Sequence, residues 1–172
     1  MRKTILIIFA AVCLFVSVVF LLFNFMFYPK NYQNFIEKYS REFGVETSLV
    51  YAIVKAESGF DSKAVSRAGA KGLMQILPTT AEWIAGKFEE SFSEEILFNP
   101  ETNIKYGCFY LRYLIDKFSD LDAVICAYNA GERTVKYWLN DEGGLDESKI
   151  TYSETKNYLK KVKKYKRYYS MM

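Results

Sequence analysis

Residues 47–81 read TSLVYAIVKAESGFDSKAVSRAGAKGLMQILPTTA, and the change of character inside this stretch decides the fold. Leu49, Val50, Ile53 and Val54 recur at the three- and four-residue spacing of a helix face. Thr47 is placed to cap that helix, which ends at Glu57-Ser58-Gly59. Residues 58–78 are then small, polar and interrupted by Gly59, Gly69 and Gly72, so a shaped loop closed by Pro78 is expected. Thr79 followed by Glu82 is a capping-box pattern for a short helix running through Trp83.

The helical pattern continues on both sides. Upstream, Tyr32, Phe35, Ile36, Tyr39 and Phe43 mark a first amphipathic helix. Downstream, Asn99-Pro100 opens a longer helix, with proline where its missing N–H costs nothing. Its apolar stripe is Ile104, Cys108, Leu111, Leu114, Ile115 and Phe118. A further helix runs from about Leu121 to Ala130 and stops at Gly131, and another holds Val135 and Trp138. Residues 140–150 form a loop around Gly143-Gly144. The last helix starts near Ser153, with Tyr158, Val162, Tyr165 and Tyr169 on one side and lysines on the other. No alternating strand pattern persists, so the fold class is all-α.

One segment stands apart. Ile5 to Phe27 is an apolar run broken only by Ser17 and Asn24, long enough as a helix to span a hydrocarbon core of about 30 Å. Arg2 and Lys3 precede it, which keeps the N-terminus in the cytoplasm and exports the rest of the chain. A cleaved signal peptide is the competing reading. Its apolar region runs only about 7–15 residues and ends at small residues, whereas this run ends Asn24-Phe25-Met26-Phe27-Tyr28. The expected organisation is a transmembrane anchor over residues 1–29 and an exported domain over 30–172, a single-pass protein of a bacterial cell membrane.

Among the 172 residues there is no histidine, which excludes Ser-His-Asp and Cys-His catalysis and any histidine metal site. The three cysteines, Cys13, Cys108 and Cys126, lack CxxC spacing. Cys108 and Cys126 fall in helices and are expected as buried thiols, with a disulfide as the alternative. No metal ligand cluster or phosphate-cradling loop is present, so no metal and no cofactor are expected. Charge is uneven. Fourteen bases between Lys30 and Lys149 stand against all twenty acids, while seven bases crowd the last helix between Lys156 and Arg167. For an exported domain, anionic wall polymer or lipid headgroups are the expected partners of that basic helix rather than nucleic acid, with a solvated helix face as the alternative.

Glu57 is the residue of interest. It closes an apolar helix whose negative end disfavours an ionised carboxylate. If apolar neighbours also desolvate it, its pKa rises toward the range of a general acid; the alternative on position alone is an exposed, idle helix-end carboxylate.

The string around it carries more information. Glu57-Ser58-Gly59-Phe60, Ala64-Val65-Ser66 and the run Gly69-Ala70-x-Gly72-Leu73-Met74-Gln75-Ile76-x-Pro78-x-Thr80-Ala81 resemble the signature of the lytic transglycosylase domain of the soluble, goose-lysozyme-like class. Three more blocks occur in that family's order: Asn99-Pro100 with Asn103-Ile104-x-x-Gly107-x-x-Tyr110-Leu111, then Ala127-Tyr128-Asn129-Ala130-Gly131, then Tyr152-x-Glu154-Thr155-x-x-Tyr158. The resemblance covers about residues 35–165. Ser62 stands where the family often has proline, and Ile150-Thr151-Tyr152 where it often has Ile-Pro-Tyr; both affect loop stiffness rather than a reactive group.

The resemblance implies a lysozyme-like, goose-type helical domain that cleaves the MurNAc–GlcNAc β-1,4 bond of peptidoglycan and leaves a 1,6-anhydro-muramic acid end. It implies Glu57 as the single catalytic acid/base. It implies Gln75 and Asn129 as ligands of substrate amides or hydroxyls, Ser66 beside Glu57, and Met74 and Tyr128 as groove walls. Tyr152 and Glu154 belong to the closing motif, where Glu154 orients loops or a sugar hydroxyl. Asp61, four residues after Glu57, is expected to be solvated.

Overall fold

The apolar N-terminal stretch forms one uninterrupted helix, α1 (Arg2–Phe27), long and apolar enough to cross a membrane. The computed structural model describes residues 2–172, without the side chains of residues 20–27; the part of the expected span that rests on those side chains lies outside the described residues. Side chains described along α1, among them Ile5, Phe9, Leu14 and Phe15, are exposed on every face, the pattern of a helix whose apolar surface is not met by protein. The chain divides into two units, Met1–Asn31 and Tyr32–Met172.

The second unit is helical. It comprises α2 (Gln33–Glu42), α3 (Thr47–Glu57), α4 (Pro78–Lys87), α5 (Pro100–Lys117), α6 (Leu121–Ala130), α7 (Glu132–Lys136) and α8 (Ser153–Tyr169), with short 3-10 turns at Glu94–Phe98 and Glu147–Lys149. Among the described residues extended pairing is limited to isolated bridges, two of them inside the 58–77 loop.

The hub is α3. Every residue from Ser48 to Val54 is buried, so this helix is surrounded rather than half-exposed. It packs most extensively on α8, α8 on α6, and α5 on both α2 and α6. Three of the α8 bases tie it to its neighbours: Lys161 Nζ donates to the Ala56 carbonyl at 2.8 Å, Lys163 pairs with Asp122 and Lys166 with Glu46. The first also satisfies one of the orphan carbonyls at the end of α3. Cys108 and Cys126 are buried and unbridged. Burial pushes the Cys126 thiol up to about 12 and Cys108 higher still.

Helix boundaries agree with the expected signals, with three corrections, the first that α7 stops at Lys136, so that it holds Val135 but not Trp138, which lies in the turn beyond it. Asn99 caps α5 by accepting from Thr102 N at 3.1 Å, and α6 ends at Gly131. Thr47, however, lies inside α3: Glu46 is the N-cap residue, and the Thr47 hydroxyl instead contacts Ser40 Oγ at 2.8 Å, pinning α2 to α3. Thr79 makes no capping box either. Pro78 occupies the first turn of α4 behind Leu77, whose side chain has no capping group.

The 58–77 loop is held by its own backbone and by one buried amide. Ser66 N bonds Ala70 O at 2.9 Å, Gly72 N bonds Ala64 O at 2.9 Å, and Lys71 and Ile76 exchange bonds at 3.0 and 3.1 Å. Asn103, completely buried on α5, accepts from Met74 N at 2.7 Å and donates to Lys71 O at 2.9 Å and Leu97 O at 2.8 Å. Gly72 lies against this knot with φ +77°, and a Cβ there would stand 2.2 Å from the Leu97 carbonyl oxygen.

Gly69 supplies a control, since its φ is also positive at +83° but open space surrounds it. Gly69→Ala is therefore expected to destabilise by about 1–2 kcal/mol, the left-handed penalty alone. Gly72→Ala is expected to lose distinctly more, because a backbone oxygen must move. Thermal unfolding of the two variants side by side checks this; equal losses would show that the knot tolerates a methyl group.

Candidate active site

Glu57 ends α3 at the floor of a cleft of about 550 Å³, lined also by Ser66, Arg67, Gln75, Leu77, Tyr128, Asn129 and Glu154. Four segments converge here. The end of α3 brings the carboxylate, the 64–77 loop forms one wall, and α6 with the start of α8 forms the other.

The carboxylate has one direct partner: the Tyr158 hydroxyl, from α8, donates to Glu57 Oε1 at 2.6 Å. Two tendencies oppose each other. Burial disfavours the ionised form, while the Tyr158 hydrogen bond and the Lys161 charge favour it, and the Glu154 charge again disfavours it. Burial wins, and the Glu57 pKa rises from 4.5 to about 7. A carboxyl balanced near neutrality can both give and accept a proton at working pH, which is what an acid that later acts as a base needs. Burial and the neighbouring Glu57 charge in turn push the Tyr158 phenol well above its ordinary range, so it stays a donor.

The backbone next to Glu57 is fixed by Ser58. Its hydroxyl donates to Leu73 O at 2.8 Å and accepts from Phe60 N at 3.1 Å. The adjoining turn runs through left-handed conformations at Gly59 (φ 62°) and at Phe60 (φ 74°). A phenylalanine in that region is strained, and burial of its ring near Tyr51 at 6.3 Å helps hold it.

Of the expected site residues, Glu57, Ser66, Gln75, Tyr128, Asn129 and Glu154 are brought together around the cleft. Their bonds show what each has to offer. Ser66 Oγ accepts from Ala70 N at 3.0 Å and keeps its proton available. Gln75, itself at φ 48°, donates its amide to Ala64 O and Gly72 O at 3.1 and 2.9 Å, which leaves Oε1 as its group for the cleft. Asn129 Oδ1 accepts from buried Thr155 at 2.8 Å, which leaves the Asn129 amide as donor. Tyr128 donates to Met74 O at 2.8 Å, so its ring, not its hydroxyl, faces the cleft as a wall.

Two residues lie elsewhere. Met74 is fully buried, its sulfur packed where a side chain on Gly107 would be, and it serves the site only through its peptide N–H and C=O. Tyr152 is half-exposed outside the cleft lining, edge-on to Trp138 at 5.5 Å. Asp61 is exposed, as expected, and caps the next turn by accepting from Lys63 N at 2.8 Å.

Three contributors carry no catalytic signal in the sequence. Tyr158 is visible there as part of an apolar stripe and as the last residue of the closing motif, but neither says where its hydroxyl ends. Arg67 brings a positive charge to the cleft rim. Lys161 sits near enough to act on Glu57 electrostatically. Among the described residues no three carboxylates or thiols gather into a metal-binding group.

The Glu57 pKa has a thermodynamic consequence. Between pH 4.5 and about 7 the folded chain binds more protons than the unfolded one. The stability this confers is therefore complete below the lower value and lost as pH rises through the upper. Glu57→Gln abolishes the ionisation. Its stability relative to wild type is expected to grow across that window, levelling off above pH 7 at about 1–3 kcal/mol once solvent screening is allowed for. Denaturant titrations at several pH values check this, and a pH-independent difference would contradict the assigned shift. Tyr158→Phe removes a bond that favours the charged form, so it is expected to raise the Glu57 pKa further, as read by carboxyl-carbon NMR titration.

Comparison with known proteins identifies the fold and the family. Residues 34–151 match the transglycosylase SLT domain. The chain is 35% identical to the soluble lytic murein transglycosylase of Salmonella typhimurium over 150 residues, 83% of this chain and 23% of that protein. It is 33% identical to membrane-bound lytic murein transglycosylase C of Actinobacillus pleuropneumoniae over 162 residues, 78% of this chain and 44% of that protein. Among solved structures, an inactive glutamate-to-glutamine mutant of the lytic transglycosylase Slt from Pseudomonas aeruginosa superposes with a TM-score of 0.78 at 31% identity, over 84% of this chain and 24% of that one. The chain thus spans about a quarter of the length of these soluble relatives. With the helical lysozyme-like fold and the cleft around Glu57, the matched region establishes that this chain belongs to the transglycosylase SLT domain family.

Proposed function

We propose that this protein is a membrane-anchored lytic transglycosylase that cleaves the glycan strands of peptidoglycan between N-acetylmuramic acid and N-acetylglucosamine. The observation that carries the reading is the desolvated, neutrally poised carboxyl of Glu57 in a cleft of about 550 Å³. Glycosidases of the two-carboxylate type place acid and partner about 5–10 Å apart across the bond. Here Glu154 lines the same cleft from the start of α8, and in this reading it orients the strand while Glu57 alone carries the proton.

In this mechanism protonated Glu57 gives its proton to the bridging oxygen and the C1–O bond breaks. The substrate's own N-acetyl group stabilises the positive centre at C1. Glu57, now ionised and held by Tyr158, takes the proton from the muramic acid O6 hydroxyl, and O6 closes on C1 to form the 1,6-anhydro ring. The acid is regenerated and no water is consumed. An intramolecular hydroxyl has an effective-concentration advantage of many powers of ten over a free water. Gln75 Oε1, the Asn129 amide and the Ser66 hydroxyl are proposed to orient amide and hydroxyl groups of the strand, with Tyr128 and Leu77 against its ring faces.

The anchor extends this reading. In it, α1 crosses the cell membrane with Arg2 and Lys3 inside and the catalytic unit outside, working on membrane-proximal glycan. Four bases of α8, Lys156, Lys160, Lys164 and Arg167, form no ion pair with described residues and are proposed to meet anionic wall polymer or lipid.

Purified sacculi digested with the protein are expected to yield muropeptides one water lighter than the hydrolytic products and resistant to borohydride. Dominant reducible muramic acid ends would instead mark a hydrolase. The value of kcat/KM is expected to fall as pH rises through about 7, with loss of the Glu57 proton, and Glu57→Gln to abolish cleavage. Deleting residues 1–28 is expected to move activity from the membrane fraction to the soluble one; retention in the membrane would place the anchor elsewhere.

A further inference from the structure

The catalytic cleft does not end at Asn129. A second cavity of about 290 Å³ shares Gln75, Leu77, Tyr128 and Asn129 with it and continues over Ile76, Thr80 and Tyr110. A third, of about 240 Å³, shares Thr80 and Tyr110 with the second and is completed by Thr79, Trp83, Tyr113 and Glu132. The three form one trough. Its walls carry a ladder of rings leading away from Glu57: Tyr128 to Tyr110 at 5.6 Å, Tyr110 to Tyr113 at 6.0 Å and near-parallel, and Tyr113 to Trp83 at 4.9 Å.

The far end is equipped like a site rather than a patch of core. Trp83 is 37% exposed despite packing edge-on to Tyr113 and against Phe109. The Thr79 and Thr80 side chains lie beside it. Glu132 is held in place by Lys117 and by the Tyr113 hydroxyl at 3.1 Å, and that lysine keeps its carboxyl below the ordinary range and so ionised. An exposed ring face flanked by a fixed anionic acceptor and two hydroxyls suits a sugar ring, which offers an apolar C–H face and a rim of hydroxyl donors.

We propose that Trp83, Tyr113 and Glu132 form a distal saccharide subsite that holds the same glycan strand several sugars away from the scissile bond. This rests on reading the Glu57 cleft as a glycan site, and continuity of the trough is what fixes the occupant. The subsite confers a preference for long strands. Its grip is uniform binding, remote from the reacting atoms, so it lowers KM without raising kcat.

The test uses the full chain in detergent with peptide-free glycan of two lengths, tetrasaccharide and octasaccharide. Trp83→Ala is expected to lower kcat/KM on the octasaccharide about ten-fold, through KM, which is the weight of one aromatic contact. The ratio of long- to short-strand kcat/KM should collapse toward that of a length-blind enzyme, and Trp83→Phe, which keeps a ring, should restore it in part. Equal losses on both lengths, or a loss carried by kcat, would overturn the proposal. Binding is read separately in the Glu57→Gln background, where octasaccharide is expected to change tryptophan emission and Trp83→Phe to remove that change. An unchanged signal from Glu57→Gln on saturation with octasaccharide would also overturn the subsite. Because this titration needs no cleavage, failure of the transglycosylase reading, seen as no product from either strand with wild type, is distinguishable from failure of the subsite.

Discussion

A single buried carboxamide governs how the cleft is built. Asn103 sits on α5 with no exposure to solvent and answers three backbone groups, Met74 N–H, Lys71 C=O and Leu97 C=O. Each of those groups would cost about 1–3 kcal/mol if left buried and unpaired. The amide therefore fixes where residues 71–74 run, with two direct consequences. The Leu73 carbonyl is positioned to receive the Ser58 hydroxyl, which anchors the turn beside Glu57, and the Met74 carbonyl is positioned to receive the Tyr128 hydroxyl, which sets the opposite wall. The loop has no regular secondary structure of its own, yet it is as determined as a strand.

That rigidity matters because the proposed chemistry falls on one carboxyl. With a lone acid/base, the same group must be protonated at the start and ionised in mid-cycle, so its environment cannot strongly favour either state. The hydrophobic side of the compromise comes from α3, buried from Ser48 to Val54. The polar side comes from α8, through the Tyr158 hydroxyl and the Lys161 charge. The packing of α3 on α8, the most extensive helix contact in the domain, is thus also what tunes the proton.

Much of this was legible in the residues, and the parts that were not share a cause. Helical periodicity located the elements of the second unit, and Asn99 and Gly131 marked boundaries because their roles are local. Thr47 and Thr79 misled for the converse reason. A threonine before an apolar run is an N-cap signal only if no other partner competes, and Ser40 from α2 claimed one hydroxyl while Pro78 shifted the start of the other helix. The cleft residues were found through the resemblance, but their geometry was not. Nothing in a one-dimensional pattern indicates that Gln75 and Phe60 adopt left-handed backbone conformations, that Met74 turns its sulfur into the core against Gly107, or that Tyr158 directs its hydroxyl at a residue 101 positions earlier. These are consequences of long-range packing, settled only when α3, α5 and α8 are assembled.

The two buried cysteines have an implication for where such a domain can work. Oxidation and disulfide exchange proceed through the thiolate. A thiol pushed up to about 12, as at Cys126, or higher, as at Cys108, offers almost none of that form at neutral pH. Both are also sealed from solvent in the same core. The protection is kinetic. It requires neither a bridge nor reducing surroundings, and it lets two free sulfhydryls serve as ordinary apolar filling whatever the redox poise around the domain.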